Sequence, residues 1–316
     1  MITVGRLETP NAADMAVLSE LFAAAASADG HEPVGEHKFL HVQRGEDRAE
    51  ALVARDGART IGYAQVLAYR DVEGDRASAE LVVHPDARGR GVGRLLLEAV
   101  ARTARHLGAR RLDVWAYNHS ATGASLASAL GFVPARRLLH LHRHMGRAPH
   151  PQALPERVVI RPFRTGDADA LLALNARVFA GHPEQGTWDR DDLAVRMSQP
   201  WFDPRDVLLL EVDGRMAGFC WLKVREHAGE GRVGEVYVIG IDTSVRGHGL
   251  GRALLAHGLA HLAARGVDVA AIYVDASNGP ALALYESAGF HYHHVDVCYS
   301  LDLATDVSAA LRASAA

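Results

Sequence analysis

Apolar and polar positions along the chain fall into two successive sets of the same kind. In the second set, Val158 to Arg161 reads as a short strand. Asp167 to Ala180 has the spacing of an amphipathic helix, with Thr165 or Asp167 placed to cap it. Glu235-Val-Tyr-Val-Ile-Gly-Ile241 is rich enough in β-branched and aromatic residues to form a strand buried on both faces. Arg246 to Gly251 then leads into Arg252–Leu262, whose apolar residues share one face and predict a helix. Both sets predict the same order: amphipathic helix, antiparallel hairpin, hydrophobic strand, glycine loop opening a helix, strand, short helix, last strand. The fold class is therefore α/β, with a mixed, mostly antiparallel sheet flanked by helices in each set.

The similarity extends to residue identity. Arg88-Gly-Arg-Gly-Val-Gly93 recurs as Arg246-Gly-His-Gly-Leu-Gly251, and Ala129-Leu-Gly-Phe132 recurs as Ser287-Ala-Gly-Phe290, both offset by 158 positions. Arg59-Thr-Ile-Gly-Tyr63 and Arg215-Met-Ala-Gly-Phe219 match within two residues of that offset. Three coincident matches mark a duplication. Between the copies, Gly146 to Pro155 holds three prolines and no apolar period, the signature of a linker. The expected division is a first domain over residues 1–146, a linker over 147–156 and a second domain over 157–316. A length of 316 residues with 48% apolar content suits two cores of this size.

Charge and cysteine content narrow the partners. A net charge of −4 from 34 basic and 38 acidic residues leaves no electrostatic footprint for nucleic acid or an anionic membrane, so a small-molecule ligand is expected; a monomer is the accompanying expectation. Cys220 and Cys298 are the only cysteines, too few for a disulfide framework or a cysteine-rich zinc module. The first residues lack a long apolar run, and no stretch of 18 apolar residues occurs, so a cytoplasmic location is expected.

Glycines at alternate positions just before a helix expose several backbone N–H groups, and the helix dipole adds partial positive charge there. Such a loop grips phosphate, because a Cβ would obstruct the oxygens and the backbone needs positive φ. Arg246 can add a charge-assisted contact. The loop lacks the Lys-Ser/Thr ending of a nucleoside-triphosphate loop and the spacing of a dinucleotide fingerprint. Taken alone, it would be read as a tight strand-to-helix turn.

The wider context is more specific. Arg-x-x-Gly-x-Gly after a hydrophobic strand, followed by Asn278-Gly-Pro-Ala281-Leu-Ala-Leu-Tyr285-Glu-Ser-Ala-Gly289-Phe290, resembles the GNAT N-acetyltransferase superfamily, once per copy over essentially the whole chain. The resemblance implies two tandem acyl-CoA N-acyltransferase domains using acetyl-CoA and no metal. The pyrophosphate would lie in the loop and the pantetheine along the preceding strand. The implied cofactor residues are Ile239, Gly240, Ile241, Arg246, Gly247, His248, Gly249, Leu250, Gly251, Arg252 and Asn278. Their counterparts in the first copy are Leu81, Val82, Val83, Arg88, Gly89, Arg90, Gly91, Val92 and Gly93.

Acetyl transfer from a thioester to an amine needs a base for the ammonium proton and an acid for the departing sulfur. Glu235 and Tyr285 occupy the positions that supply these in the superfamily. In the first copy the same offset gives Ala77 and Ala127, so the second copy is expected to be catalytic and the first degenerate. Glu80, a substitute base by type, lies an odd number of positions from Ala77 and would face away unless a bulge intervenes. Read singly, Glu235 is as well explained by an ion pair and Tyr285 by core packing. Their joint presence beside an intact loop, and joint loss from the sister copy, favours catalysis.

Four further strings, Asp29 to Glu36, Phe179 to Trp188, Trp201 to Pro204 and Gly234 to Gly240, resemble one family of tandem acetyltransferases within this superfamily. That likeness implies that the acceptor is the cysteinyl amine of a cysteine–glucosamine–inositol conjugate. It also implies a pocket between the domains lined by Glu36, Glu184, Lys223, Glu235 and Tyr273. The rival readings are acetylation of another small-molecule or protein amine, and a non-catalytic acetyl-CoA sensor. His140, His142 and His144, and likewise His291 and His293, alternate along two late strands. No cysteine or carboxylate spacing completes a metal site there, and a polar strand face is expected instead.

Overall fold

The computed structural model describes residues 1–71, 74–146, 151, 153–180, 185–186, 188–227 and 231–304, with the side chains of Glu36, His37, Leu40, Asp71, His119 and His227 excepted. In chain order the first ten elements are β1 (Ile2–Leu7), α1 (Ala12–Asp29), α2 (Glu36–Gln43), β2 (Ala49–Asp56), β3 (Arg59–Asp71), β4 (Gly74–Val83), α3 (Val92–His106), β5 (Arg111–Ala116), α4 (Ala121–Ala129) and β6 (Val133–His144). The same order then repeats as β7 (Val158–Pro162), α5 (Ala168–Val178), α6 (Arg190–Met197), β8 (Val207–Val212), β9 (Arg215–His227), β10 (Gly231–Ile241), α7 (Leu250–Ala264), β11 (Val269–Asp275), α8 (Gly279–Ser287) and β12 (His291–Asp302). The strand expected from Glu235 begins four residues earlier, and the helix expected over Arg252–Leu262 gains a residue pair at each end. Neither Thr165 nor Asp167 caps α5 with its side chain. Asp167 instead takes two hydrogen bonds from Arg161, at 2.7 and 2.8 Å, and one from the Arg164 backbone N–H.

The chain packs as two units. Unit 1 holds Met1–Leu138 together with the described residues from Val295 onward, and unit 2 holds Leu139–His294. Hence the units follow the copies except at their last strands. In unit 1 the sheet runs β1-β2-β3-β4-β5 and continues with the Val295–Asp302 part of β12, which pairs antiparallel with β5 from Val297↔Ala116 to Asp302↔Arg111. In unit 2 it runs β7-β8-β9-β10-β11 and continues with the Leu139–His144 part of β6. The two last strands follow equivalent segments and offer equivalent ladders, so the repeat itself does not specify which one fills which edge.

Each sheet separates two cores. In unit 1, α3 buries Val92, Leu96, Leu97 and Val100 on one face, and α1 buries Leu18, Leu21 and Ala25 on the other. In unit 2, Leu250, Leu254, Leu255, Leu259 and Leu262 of α7 pack on Leu208, Leu222, Val236 and Ile272. Each such leucine contributes roughly 1.5–3 kcal/mol by burial. The opposite face is aromatic, with Trp188, Trp201, Phe219, Trp221 and Tyr237 under α5 and α6. No helix among the described residues is long and apolar enough to cross a membrane.

Candidate active site

In unit 2, β10 runs antiparallel to β9 on one side and parallel to β11 on the other. Its pairing with β11 covers only Val233↔Val269 to Glu235↔Ala271, although the two strands go on to Ile241 and Asp275. Glu235 therefore stands at the last registered pair, where the strands part. The register with β9 shifts between Val236 and Val238, so β10 carries one extra residue, Tyr237. Tyr237 and Val238 consequently both face the aromatic core, and the strand bends just past Glu235. Ile239, Gly240 and Ile241 follow, with their backbone along the opened edge, where N–H groups can polarise a thioester carbonyl.

Lys223 lies directly across from Glu235 on β9. Its ammonium is buried, 4.4 Å from the centre of the Trp201 ring and 5.5 Å from that of Tyr237, in cation–π contact. Arg225, two residues further along β9, donates to Glu235 Oε2 at 3.2 Å. Its side chain is 40% exposed, so the pair adds little stability and serves to orient the carboxylate. Sequence reasoning missed Arg225, yet it is visible as the same-face neighbour of Lys223 at strand spacing.

The glycine loop follows β10. Gly247 and Gly249 have φ of +84° and +73°, and α7 starts at Leu250. A Cβ at either glycine would meet nothing within 4 Å, so the left-handed backbone, not crowding, requires glycine here. The first N–H groups of α7 are presented together, and Arg246 makes no side-chain hydrogen bond or ion pair among the described residues. Tyr285 on α8 is buried in the α7-side core, edge-on to Phe290 at 6.1 Å. Burial, and then the Cys220 thiol, raise the pKa of its hydroxyl, which keeps its proton at neutral pH. Burial likewise pushes the Cys220 thiol up to about 12. Asn278 uses its side-chain oxygen to cap α8, accepting from the Ala281 N–H at 3.2 Å. Tyr273 is 38% exposed and stacks on His140, with ring centres 4.1 Å apart. Glu184 and the side chain of Glu36 lie outside the described residues.

Unit 1 keeps the frame of this site without its chemistry. Gly89 and Gly91 have φ of +74° and +81°, α3 opens at Val92, and β4 parts from β5 after Ala79↔Val114. Arg88, however, is held by Asp29 through two 2.7 Å hydrogen bonds, and Arg90 by Asp56 at 2.6 Å. The pairing of β3 with β4 has no extra residue. Counting from Gly62↔Val83 and Gly218↔Ile241, the partner of Glu235 in unit 1 is therefore Ser78, not Ala77, and the partner of Lys223 is Leu67. This also corrects the orientation of Glu80, which lies two residues from Ser78 and on the same face; the uneven spacing arises from the bulge in β10.

Glu80 is nevertheless fully committed. Its carboxylate accepts from the Gly35 N–H at 2.6 Å, Lys38 at 2.7 Å, Tyr117 at 2.7 Å and Gln65 at 2.8 Å. Burial pushes its pKa up, but the Lys38 charge and these hydrogen bonds outweigh it and hold the group below the ordinary carboxylate range. Nearby Asp296, fully buried, accepts from the Asn118 N–H at 2.9 Å, and burial raises its pKa to about 6.

The parting of β10 from β11, the bulge at Tyr237 and the glycine loop that opens α7 lie together along the second half of β10, with the Glu235 carboxylate at the fork. The Acetyltransferase (GNAT) family pattern matches residues 16–132 and again 173–290, one match per copy, and the chain belongs to that family. More narrowly, it belongs to the mycothiol acetyltransferases. It is 44% identical to the mycothiol acetyltransferase of Thermobispora bispora over 92% of this chain and 97% of that one, and 45% identical to that of Salinispora arenicola over 90% and 91%. Among solved structures, the fold matches a tandem GNAT protein from the clavulanic acid biosynthesis pathway with a TM-score of 0.73 at 18% identity, covering 97% of this chain and all of that one. A GCN5-related N-acetyltransferase from Sphaerobacter thermophilus matches with a TM-score of 0.70 at 24% identity, covering 96% of each chain. The protein is an acetyl-CoA-dependent N-acetyltransferase with tandem domains.

Proposed function

We propose that unit 2 transfers acetyl from acetyl-CoA to the cysteinyl amine of the cysteine–glucosamine–inositol conjugate, giving mycothiol and CoA. The observation that carries this reading is the position of the Glu235 carboxylate at the fork of β10 and β11, next to the glycine loop. The identity with mycothiol acetyltransferases over nine-tenths of the chain supports the choice of acceptor.

In this mechanism the diphosphate of acetyl-CoA sits on the N–H groups from Gly247 to Gly251, with Arg246, His248, Leu250 and Arg252 around it and Asn278 beside the pantetheine. Backbone N–H groups from Ile239 to Ile241 hold the thioester carbonyl and stabilise the oxyanion that forms there. Glu235, held by Arg225, removes the ammonium proton, directly or through one water. The free amine attacks the carbonyl carbon, the C–N bond forms, and collapse of the tetrahedral adduct breaks the C–S bond. Tyr285 gives its proton to the departing sulfur and regains one from the acetylated nitrogen, which sheds its second proton to become the neutral amide. An α-amino group has a pKa of about 7.7–8.0 and a thiol about 8.5, so neither proton transfer is demanding near neutrality. Lys223, Tyr273, Glu184 and Glu36 line the acceptor pocket, where charged groups strengthen hydrogen bonds to sugar hydroxyls. The unit 1 loop, from Leu81 to Val83 and Arg88 to Gly93, keeps the shape for a second, unproductive acetyl-CoA.

The test is CoA release from acetyl-CoA with the cysteinyl glucosamine–inositol amine and, in parallel, with an aminoglycoside. Release with the first amine only, lost in Glu235→Ala, is the expected result. Faster release with the aminoglycoside, or none with either despite bound acetyl-CoA, would replace this acceptor or leave a sensor.

A further inference from the structure

On unit 2, four imidazoles meet beside Tyr273. His140 and His142 alternate along β6 and so share a face, while His293 and His294 come from the start of β12. His142 and His293 stack with ring centres 3.8 Å apart, and His140 lies 4.5 Å from His142 and 4.4 Å from His294. One nitrogen from each of His140, His142 and His293 can be chosen so that all three lie within 4.8 Å of one another. His140 Nδ1 and His294 Nδ1 are 3.2 Å apart, a hydrogen bond in which one ring donates and the other accepts. With the proton on His140, its Nε2 lone pair is left for another partner.

We propose that His140, His142 and His293 form a binding site for one divalent transition metal of the zinc class, with His294 orienting His140 and the fourth coordination position open. The donor set is the reason for the metal class: three neutral imidazoles with no carboxylate or thiolate suit zinc, cobalt, nickel or copper and not magnesium or calcium. Zinc–nitrogen bonds of about 2.0–2.1 Å in a tetrahedron place ligand nitrogens about 3.3 Å apart, so the rings close on the metal by small side-chain rotations. The His140–His294 contact is the outer-shell hydrogen bond that metal-bound histidines regularly carry on their second nitrogen. Tyr273, stacked on His140, fixes the ring plane. Arg225, which bears on His140 and is itself paired with Glu235, adds positive charge that opposes a dication. The cluster shares Tyr273 and Arg225 with the proposed acceptor site, but the metal reading does not depend on which amine is acetylated.

The test uses the full chain without an affinity tag, stripped with a chelator and titrated with zinc by calorimetry and with cobalt by visible absorption. One equivalent bound, with the intense absorption of tetrahedral cobalt, is expected. His142→Ala, His293→Ala and their double variant should each weaken binding by more than about 100-fold, beyond the 10–100-fold loss typical of an outer-shell partner. His144→Ala and His291→Ala, exposed on the same two strands, should leave it unchanged. Absence of a stoichiometric site in the native protein, or a site that survives the double variant, would overturn the proposal.

Discussion

Glu80→Gln separates a structural carboxylate from a catalytic one. Glu80 and Lys38 are each less than a twentieth exposed and meet at 2.7 Å. Glutamine matches glutamate in size but removes the charge that the buried Lys38 ammonium meets at 2.7 Å and turns one acceptor oxygen into a donor that faces other donors. Breaking a buried pair in this way costs about 3–5 kcal/mol. In a unit of this size 1 kcal/mol moves Tm by roughly 2–4 °C, so a fall on the order of 10 °C is expected in the unit 1 transition by calorimetry. Lys38→Met in the same chain removes the other member of the buried pair and should recover part of the loss. The same carboxylate anchors Gly35 and Lys38, which flank Glu36; on the proposed role of Glu36 at the acceptor, the acceptor KM should rise while kcat changes no more than about threefold. A kcat fall of about 100-fold with an unchanged Tm would refute the structural assignment and make Glu80 a base.

Other perturbations follow from the same geometry. The pKa of Asp296 is raised to about 6 in the folded protein, from about 3.9 when unfolded, so its stabilising contribution is full below pH 4 and lost as pH rises through 6. Asp296→Asn should therefore stabilise unit 1 by about 1–2 kcal/mol at pH 8 and by almost nothing at pH 4, as read from urea unfolding at both values. Gly249→Ala forces a side chain into left-handed backbone at a cost of about 1–2 kcal/mol and should weaken acetyl-CoA binding by calorimetry. Arg246→Ala should weaken it without changing Tm. Tyr285→Phe should lower kcat by about 100-fold at nearly constant stability, because no hydrogen bond of its hydroxyl is lost among the described residues.

The duplication, the glycine loops and the order of elements were legible because each depends on local pattern: glycine where φ is positive, leucines at helical spacing, β-branched runs in strands. The last strands were not, because Val295–Asp302 and Leu139–His144 exchange between equivalent edges, and the repeat encodes the ladder but not the partner. The counterpart of Glu235 was misplaced by one residue for a related reason. The bulge at Tyr237 is a matter of register, and nothing in Gly234-Glu-Val-Tyr-Val-Ile-Gly240 distinguishes a bulged strand from a regular one. The fate of Glu80 was equally hidden. Its four donors come from Gly35, Lys38, Gln65 and Tyr117, residues brought together only by the fold. The histidines of β6 and β12 were visible as alternating pairs, but their meeting required the strands to be placed.

The most direct test of the central claim is the pH dependence of kcat for Glu235→Gln with the cysteinyl amine. If Glu235 takes the proton, the variant should lose about 100-fold or more near pH 7 and regain much of that by pH 9, where the amine deprotonates unaided. A variant with native kcat at pH 7 would show that the carboxylate at the fork of β10 and β11 is not the base.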